Sequence, residues 1–393
     1  MTQHMPNPTP TLPPTELIHA MIGGQLPGLG PIQLMRMHFP SGRAPHAQIL
    51  HQGQVWILEW FGQAAADRRD AETERLARMG QPDSLRWNAK AGVLLRRPGT
   101  DAKLPGLRLL SDKELAERCL TDIGLKGPFT IALVAHRLGR RAVLRIRHAD
   151  GTAYARLRSP TAQAAAAAIA RHQSLWQAMS HNNDLRLPRP LGVDRALGLA
   201  LYAALPGHPM QLRGLRGFSG IDATARALSA LQQSRCDAPH WTAEDEIALL
   251  SQWEDRVITV FPDLGHKIQP KLLSIRKALR ELPVMEPVTC HRDLHEGQIL
   301  LFRGLAGLLD FDTLSRGDPA MDLGNLQAHL DLAGLRKDRS FAAYATAAER
   351  LFPQIKLSRI AVWRRVARLR LAMLWAFSGE PRANLSALLE DEV

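Results

Sequence analysis

The stretch that most constrains this chain runs from Pro287 to Asn325 and reads PVTCHRDLHEGQILLFRGLAGLLDFDTLSRGDPAMDLGN. An apolar run into Cys290 reads as a short buried strand, which breaks into a polar loop from His291 to Gln298. The apolar pair Ile299-Leu300, a turn at Arg303-Gly304 and the run Leu305 to Leu309 follow, ending at Asp310-Phe311-Asp312. The predicted layout is strand, loop and hairpin, with one carboxylate in the loop and a pair where the hairpin ends.

That layout suits phosphoryl transfer. The reaction needs a carboxylate to orient or deprotonate an attacking hydroxyl, and oxygen ligands for a Mg²⁺ ion that bridges phosphates. Asp293 suits the first task; Gln298 and Asp310, with Asp312 beside it, suit the second. An Asp in a polar loop is also a common Asx turn, but a turn accounts for neither the two nearby histidines nor the downstream pair. Asp318, before Pro319, reads as a helix-start signal.

At these residues the sequence resembles the aminoglycoside and choline kinase type of small-molecule phosphotransferases, distant relatives of protein kinases. The family's loop, His-x-Asp-Leu-His-x-Gly-Asn before an apolar pair, appears here as HRDLHEGQIL. Its second motif, Asp-aromatic-x-Asp, appears as LDFD. The resemblance implies a bilobal protein-kinase-like α+β fold: a small antiparallel β lobe with one helix, and a large helical lobe. It also implies transfer of the terminal phosphate of ATP or GTP to a small-molecule hydroxyl, with Mg²⁺ as cofactor. Asp293, His291 and Arg156 form the implied catalytic set, although His291 and His295 read as scaffold before acid or base. Gln298, Asp310 and Asp312 are the implied metal ligands, and Asp322 in GDPAMDLGN would brace the loop.

The 393 residues, 45% hydrophobic, suffice for a large core and two or three domains. Cys119, Cys236 and Cys290 lie far apart without disulfide or metal-ligand spacing, which points to a reducing cytoplasm. No apolar run approaches the ~20 residues of a transmembrane helix. The net charge of +12 raises the question of a polyanion partner. The arginines are scattered without an aromatic-interleaved stripe, which argues against nucleic acid. The expected partner is a small-molecule hydroxyl acceptor, and the oligomeric state stays open. A pocket for a polycation would want local acid, and Glu244-Asp245-Glu246 is the one such cluster between the lobes and the loop.

In chain order, residues 1–20 read as a polar, Pro-rich disordered tail and 21–125 as an accessory α+β region. Within that region IQLMRMHF and VWILEWF are strands, Ala64 to Met79 a surface helix, and Asp112 a helix start. Residues 126–207 form the expected small lobe: three strands, a helix from Ala162 to Met179, and a hinge strand whose backbone at Tyr202, Ala203 and Ala204 would meet adenine. Residues 208–393 form the helical large lobe with the catalytic loop. The basic amphipathic stretch from Leu357 to Phe377 reads as one of its core helices rather than a membrane-surface helix.

Two departures from the family pattern stand out. No lysine lies between Lys126 and Lys267 and no carboxylate between Asp150 and Asp184, so the small-lobe Lys–Glu pair cannot form. Arg156 occupies the Lys position with Arg158 on the same strand face; lacking an acidic partner, it would be positioned by the nucleotide or by Gln163, His172 or Gln173. A Gly-rich phosphate loop is also missing. The turn at His136 to Arg141 offers one Gly and three Arg, Arg140 among them, to hold phosphates. These departures, with Gln298 one methylene longer than the usual Asn, keep open an alternative: a catalytically weakened nucleotide-binding or regulatory module.

Overall fold

The computed structural model describes residues 13–39, 45–61, 65–78, 84–160 and 163–390. The start of the Pro-rich tail lies outside these residues. Residues 15–20, expected within that tail, instead belong to helix α1 (Thr15–Ile22), whose Leu17, Ile18 and Met21 are buried. The spacing of these apolar residues gives the segment one apolar face to dock, and His19 reaches the Val260 carbonyl at 3.0 Å.

Two short strands, β1 (Gln25–Leu26) and β2 (Gly30–Pro31), pair with each other. A five-stranded antiparallel sheet follows, made of β3 (Gln33–His38), β4 (His46–His51), β5 (Gln54–Trp60), β6 (Leu85–Asn88) and β7 (Val93–Arg96) in the order β3-β4-β5-β7-β6. Strand β4 was not foreseen, because HAQILH has no clean alternation; it is held by both neighbours. Helix α2 (Ala65–Arg78) sends Glu72 to Arg96, which also grips Glu59 at 2.5 Å.

After a 3₁₀ turn at Pro105–Leu110, Asp112 caps α3 (Lys113–Asp122) by accepting the Leu115 N–H at 2.9 Å. The antiparallel small-lobe sheet combines β8 (Thr130–Arg137), β9 (Arg141–His148) and β10 (Gly151–Arg158) with two strands that follow α4 (Gln163–Ala178). With β11 (Leu185–Arg186) belonging elsewhere, those two are β12 (Pro190–Asp194) and β13 (Leu199–Ala203), and the order is β12-β13-β10-β9-β8.

The large lobe begins with β14 (His208–Pro209) and helices α5 (Gly214–Gln233), α6 (Ala243–Val260) and α7 (Pro262–Glu281). Four short strands then carry the motif region: β15 (Val288–Cys290), β16 (Ile299–Phe302), β17 (Leu305–Leu308) and β18 (Ser315–Gly317). Strand β15 pairs with β18, and β16 and β17 form the predicted hairpin, with β11 and β14 at its sides. Helices α8 (Met321–Lys337), α9 (Ala342–Arg350), α10 (Leu357–Trp375) and α11 (Arg382–Leu389) complete the chain. The stretch read as a core helix is one: α10 buries Ile360, Trp363, Val366, Leu369 and Met373. The bilobal α+β layout is thus realised.

The apolar interior divides in an instructive way. The N-terminal sheet, through Leu34, Met37, Ile49 and Trp56, shares one core with the large-lobe helices. Leu104, Leu107, Leu109 and Leu120 instead share a second core with Leu144, Ala155 and Leu157 of the small-lobe sheet. The region before residue 125 therefore grips both lobes.

Helices α8 and α10 meet at Gly324, where an added Cβ would lie 2.5 Å from backbone atoms of Trp363 and Arg364. Backbone cannot yield as a flexible side chain can, so Gly324→Ala forces the helices apart. Urea titration should find the variant less stable by about 1–3 kcal/mol.

Candidate active site

The polar loop is suspended from α8. Asp322, fully buried, accepts the His291 and Arg292 N–H groups at 2.8 and 2.7 Å. Burial raises its carboxyl above the ordinary value, opposed by His291 and by these two bonds. Asn325, nearly one helical turn on, donates its side-chain N–H to the Leu294 carbonyl at 2.9 Å. The brace foreseen for Asp322 therefore exists, and Asn325 doubles it. Between these anchors Asp293 stays half-buried, its own N–H 3.3 Å from His291 Nδ1.

His291 ties this loop to the second motif. Its ring is wholly buried, with Nε2 2.7 Å from the Leu309 carbonyl, one residue before Asp310, and its backbone carbonyl accepts from Thr313 Oγ1 at 2.8 Å. With both ring nitrogens engaged, His291 is a positioning residue. Gln298, at the end of the 3₁₀ turn Glu296–Gln298, accepts the Leu309 N–H on its backbone carbonyl at 3.0 Å. Gln298 and Asp310 are thereby neighbours across the hairpin. Arg292 and Asp310 adopt left-handed backbone at φ 66° and 60°, conformations that persist only where surrounding bonds enforce them.

The small lobe faces this frame with arginines. Arg156 approaches Asp310 at 2.8 Å and Asp312 at 2.6 Å, Arg158 reaches Asp312 at 2.5 Å, and Arg141 contacts both. This corrects the expectation that Arg156 lacks acidic partners and would depend on the nucleotide, Gln163, His172 or Gln173. The partners come from the other lobe, where a search of the small lobe cannot find them. The Gln163 side chain lies outside the described residues. His172 instead bonds the Pro188 carbonyl and packs edge-on to Tyr202. Burial works against charge on Asp310, yet Arg156 and Arg141 outweigh it and hold the carboxyl at about 2. Asp312 is likewise lowered, Arg156 overcoming burial.

The other foreseen residues fall as follows. Tyr202 is buried on β13 opposite Tyr154. The Ala203 and Ala204 amides donate to the Arg189 and Thr152 carbonyls, both at 2.9 Å, so neither amide is open to a base in this arrangement. Arg140 lies exposed in the β8–β9 turn. Beside it the Gly139 N–H, the donor a phosphate loop would offer, is taken by Asp101 at 2.5 Å. The acidic cluster proves structural: Glu244 pairs with Arg280, Asp245 completes a capping box with Thr242, and buried Glu246 holds Arg370 and Trp241.

Sequence reasoning missed Arg36 and Asp101, and it foresaw Arg141 as a phosphate holder in the turn but not as a partner of the aspartate pair. Arg141 had a signal, since β9–β10 pairing sets it opposite Arg158. Arg36 comes from β3 of the N-terminal sheet, its guanidinium 5.5 Å from the Trp375 ring, and Asp293 is the carboxylate whose charge supports it. No periodicity could link positions so distant in sequence.

Asp310, Asp312 and Gln298 offer the hard oxygens that Mg²⁺ prefers. In this arrangement all four carboxylate oxygens of the pair face guanidinium groups. The donors fit an ion once the arginines turn to another anion. His295, Glu296 and His329 also bring donor atoms within 4.8 Å of one another. There His295 Nδ1 already accepts the Gly297 N–H and its ring stacks on His329, which reads as packing.

The comparisons bear on the same elements. The family model described as phosphotransferase enzyme family matches residues 130–366, from β8 to α10. The chain belongs to that family. No curated protein matches this family member. Among solved structures it is similar to an amicoumacin kinase in complex with AMP-PNP, Ca²⁺ and Ami, at 14% identity over 71% of this chain and 91% of the other, TM-score 0.52. It is also similar to a thermostable mutant of aminoglycoside phosphotransferase APH(4)-Ia in ternary complex with AMP-PNP and hygromycin B, at 12% identity over 70% of this chain and 97% of the other, TM-score 0.53. A choline/ethanolamine kinase family protein from Mesorhizobium loti matches at 18% identity over 73% and 94%, TM-score 0.50. At these identities the likeness establishes the shared kinase-like fold. Among the described residues, no helix of this phosphotransferase-family chain is long and apolar enough to cross a membrane.

His38 lies at the edge of this basic face, its ring 5.1 Å from His46. Burial, then His46, Arg36, Arg137 and Arg140, push its pKa down from 6.5 to about 2. A base lowered on folding takes its proton first in the unfolded chain, so stability is full above about pH 6.5 and falls as pH drops below it. Acidification from about pH 6.5 to 5.5 should cost wild type about 1 kcal/mol more than His38→Gln, read by denaturant titration at each pH.

Proposed function

We propose that this chain transfers the terminal phosphate of ATP or GTP to a hydroxyl of a small molecule. The observation that carries the reading is the linkage of the two motifs. Asp322 fixes the loop that presents Asp293, and His291 in that loop bonds the residue before Asp310. A carboxylate for the acceptor hydroxyl and oxygens for the nucleotide side are thus held on one rigid frame, as a reaction dominated by positioning requires.

In this reading Asp293 accepts the proton of the attacking hydroxyl. Arg156 and Arg141, and Arg140 from the turn, turn toward the phosphates, for which planar guanidinium groups are suited. Asp310 and Gln298, with Asp312, would then hold Mg²⁺, which supplies charge neutralisation at the phosphate oxygens. The base stacks near Tyr202 and Ala203 of β13 and Ala204 just past its end. Three free, buried thiols, Cys119, Cys236 and Cys290, agree with a reducing cytoplasm.

One observation favours a second reading, a weakened nucleotide-binding or regulatory module. The guanidinium groups that neutralise Asp310 and Asp312, with Asp101 on Gly139, describe a cleft closed upon itself. Turnover separates the two. Asp293→Asn should lower phosphate transfer, measured over a panel of hydroxyl acceptors, by ~10² or more while nucleotide affinity stays nearly unchanged. Wild-type rates in Asp293→Asn would remove Asp293 as the base, and no transfer by wild type with intact nucleotide binding would favour the module.

A further inference from the structure

The N-terminal sheet brings a positive charge, Arg36, near enough to Asp293 for the carboxylate to act on it. Arg36 on β3 pairs in register with Gln48 on β4, and Gln48 Nε2 donates to the His136 carbonyl at 2.5 Å. Cross-strand neighbours lie within side-chain reach, so this bond sets Arg36 beside Arg137, the residue after His136 and the last of β8. Arg137 in turn pairs in register with Arg141 of the arginine–aspartate cluster. On its other side the Met37 N–H donates to the Phe377 carbonyl at 2.9 Å, fixing the strand to the end of the large-lobe helix α10.

Arg36 and Arg137 are both half-buried, and among the described residues neither has a hydrogen bond or ion pair to a carboxylate in the way Arg156 and Arg158 do. Like charge presses on both, although at Arg36 the charge of Asp293 outweighs that of Arg141. Burial and then Arg141, Arg36 and Arg140 lower Arg137 to about 10, while Asp293 and Asp310 are the nearest compensation. Partly desolvated cations held together need a counter-charge. The carboxylates that could have welcomed a cation, Glu244 to Glu246, are spent on Arg280, a helix cap and Arg370.

We propose that Arg36, with Arg137, binds an anionic group of the acceptor, so that this phosphotransferase acts on a small hydroxyl compound bearing phosphate or carboxylate rather than on a polycation. The inference rests on the transfer reading for the term acceptor, but its binding content stands separately. Arg36 takes its compensating charge from Asp293, whereas Arg141 and Arg156 pair with Asp310, which divides these arginines between acceptor and nucleotide.

The test is calorimetric titration of the full chain, loaded with Mg²⁺ and a non-hydrolysable ATP analogue so that the nucleotide arginines are occupied. The probes are inorganic phosphate, glycerol 3-phosphate, glycerol and ethanolamine. The two anions should bind at least about tenfold more tightly than glycerol, and ethanolamine least. Arg36→Gln should erase about tenfold of the anion affinity and leave glycerol binding and the melting temperature unchanged; Arg36→Lys should restore part of it. Should Arg36→Gln fail to fold, Arg137→Gln serves in its place. Equal binding of all four probes, preference for ethanolamine, or anion affinity untouched in the variants overturns the proposal. Anion binding at Arg36 with no phosphate transfer to any probe leaves this inference standing and counts against the transfer reading alone.

Discussion

The contacts of Arg141, Arg156 and Arg158 with Asp310 and Asp312 hold the two lobes of this protein in register. All five side chains are only about a fifth exposed, so the charges feel a medium well below the dielectric of water. Three guanidinium groups against two carboxylates leave one positive charge in excess at the mouth of the cleft. Such a cluster is poorly matched to itself and well matched to a polyanion. The arrangement gains where a phosphate chain takes the arginines and a cation takes the acids, because each group then exchanges one partner for another of opposite charge and none is left bare. The Lys–Glu pair usual in such kinases is thus replaced by a device that spans the lobes instead of lying within one.

The motif region was legible in the sequence because its chemistry is local. HRDLHEGQIL and LDFD fix a strand, a loop and a hairpin within a short span, and the bond from Asp322 to the loop follows from its place in the first turn of α8. Helix α3 was legible through its cap, Asp112. What could not be read is whatever joins distant segments. Asp101 on Gly139, Gln48 on the His136 carbonyl and Arg36 near Asp293 depend on how a separate sheet docks, and no periodicity records that. The acidic run Glu244-Asp245-Glu246 misled for the opposite reason: three carboxylates adjacent in sequence point to different places once they sit in a helix's first turn.

The N-terminal sheet is therefore more than an added layer. Its apolar face completes the core of the large lobe, while the segment around Asp101 and the leucines up to Leu120 pack with the small lobe. A body anchored to both lobes limits how far they can part, and it brings Arg36 and His38 to the site's rim. The loop of Asp293 and a basic wall contributed in part by the N-terminal sheet thus share one cleft.

The central claim is that the arginines exchange carboxylates for phosphates when nucleotide enters. The most direct measurement is a crystal structure of the complex with Mg²⁺ and a non-hydrolysable ATP analogue. The account predicts Arg141 and Arg156 moved from Asp310 onto phosphate oxygens, with the Asp310 and Gln298 oxygens on the ion. Nucleotide bound with every arginine–aspartate contact intact, or a protein that takes up no nucleotide at all, would contradict it.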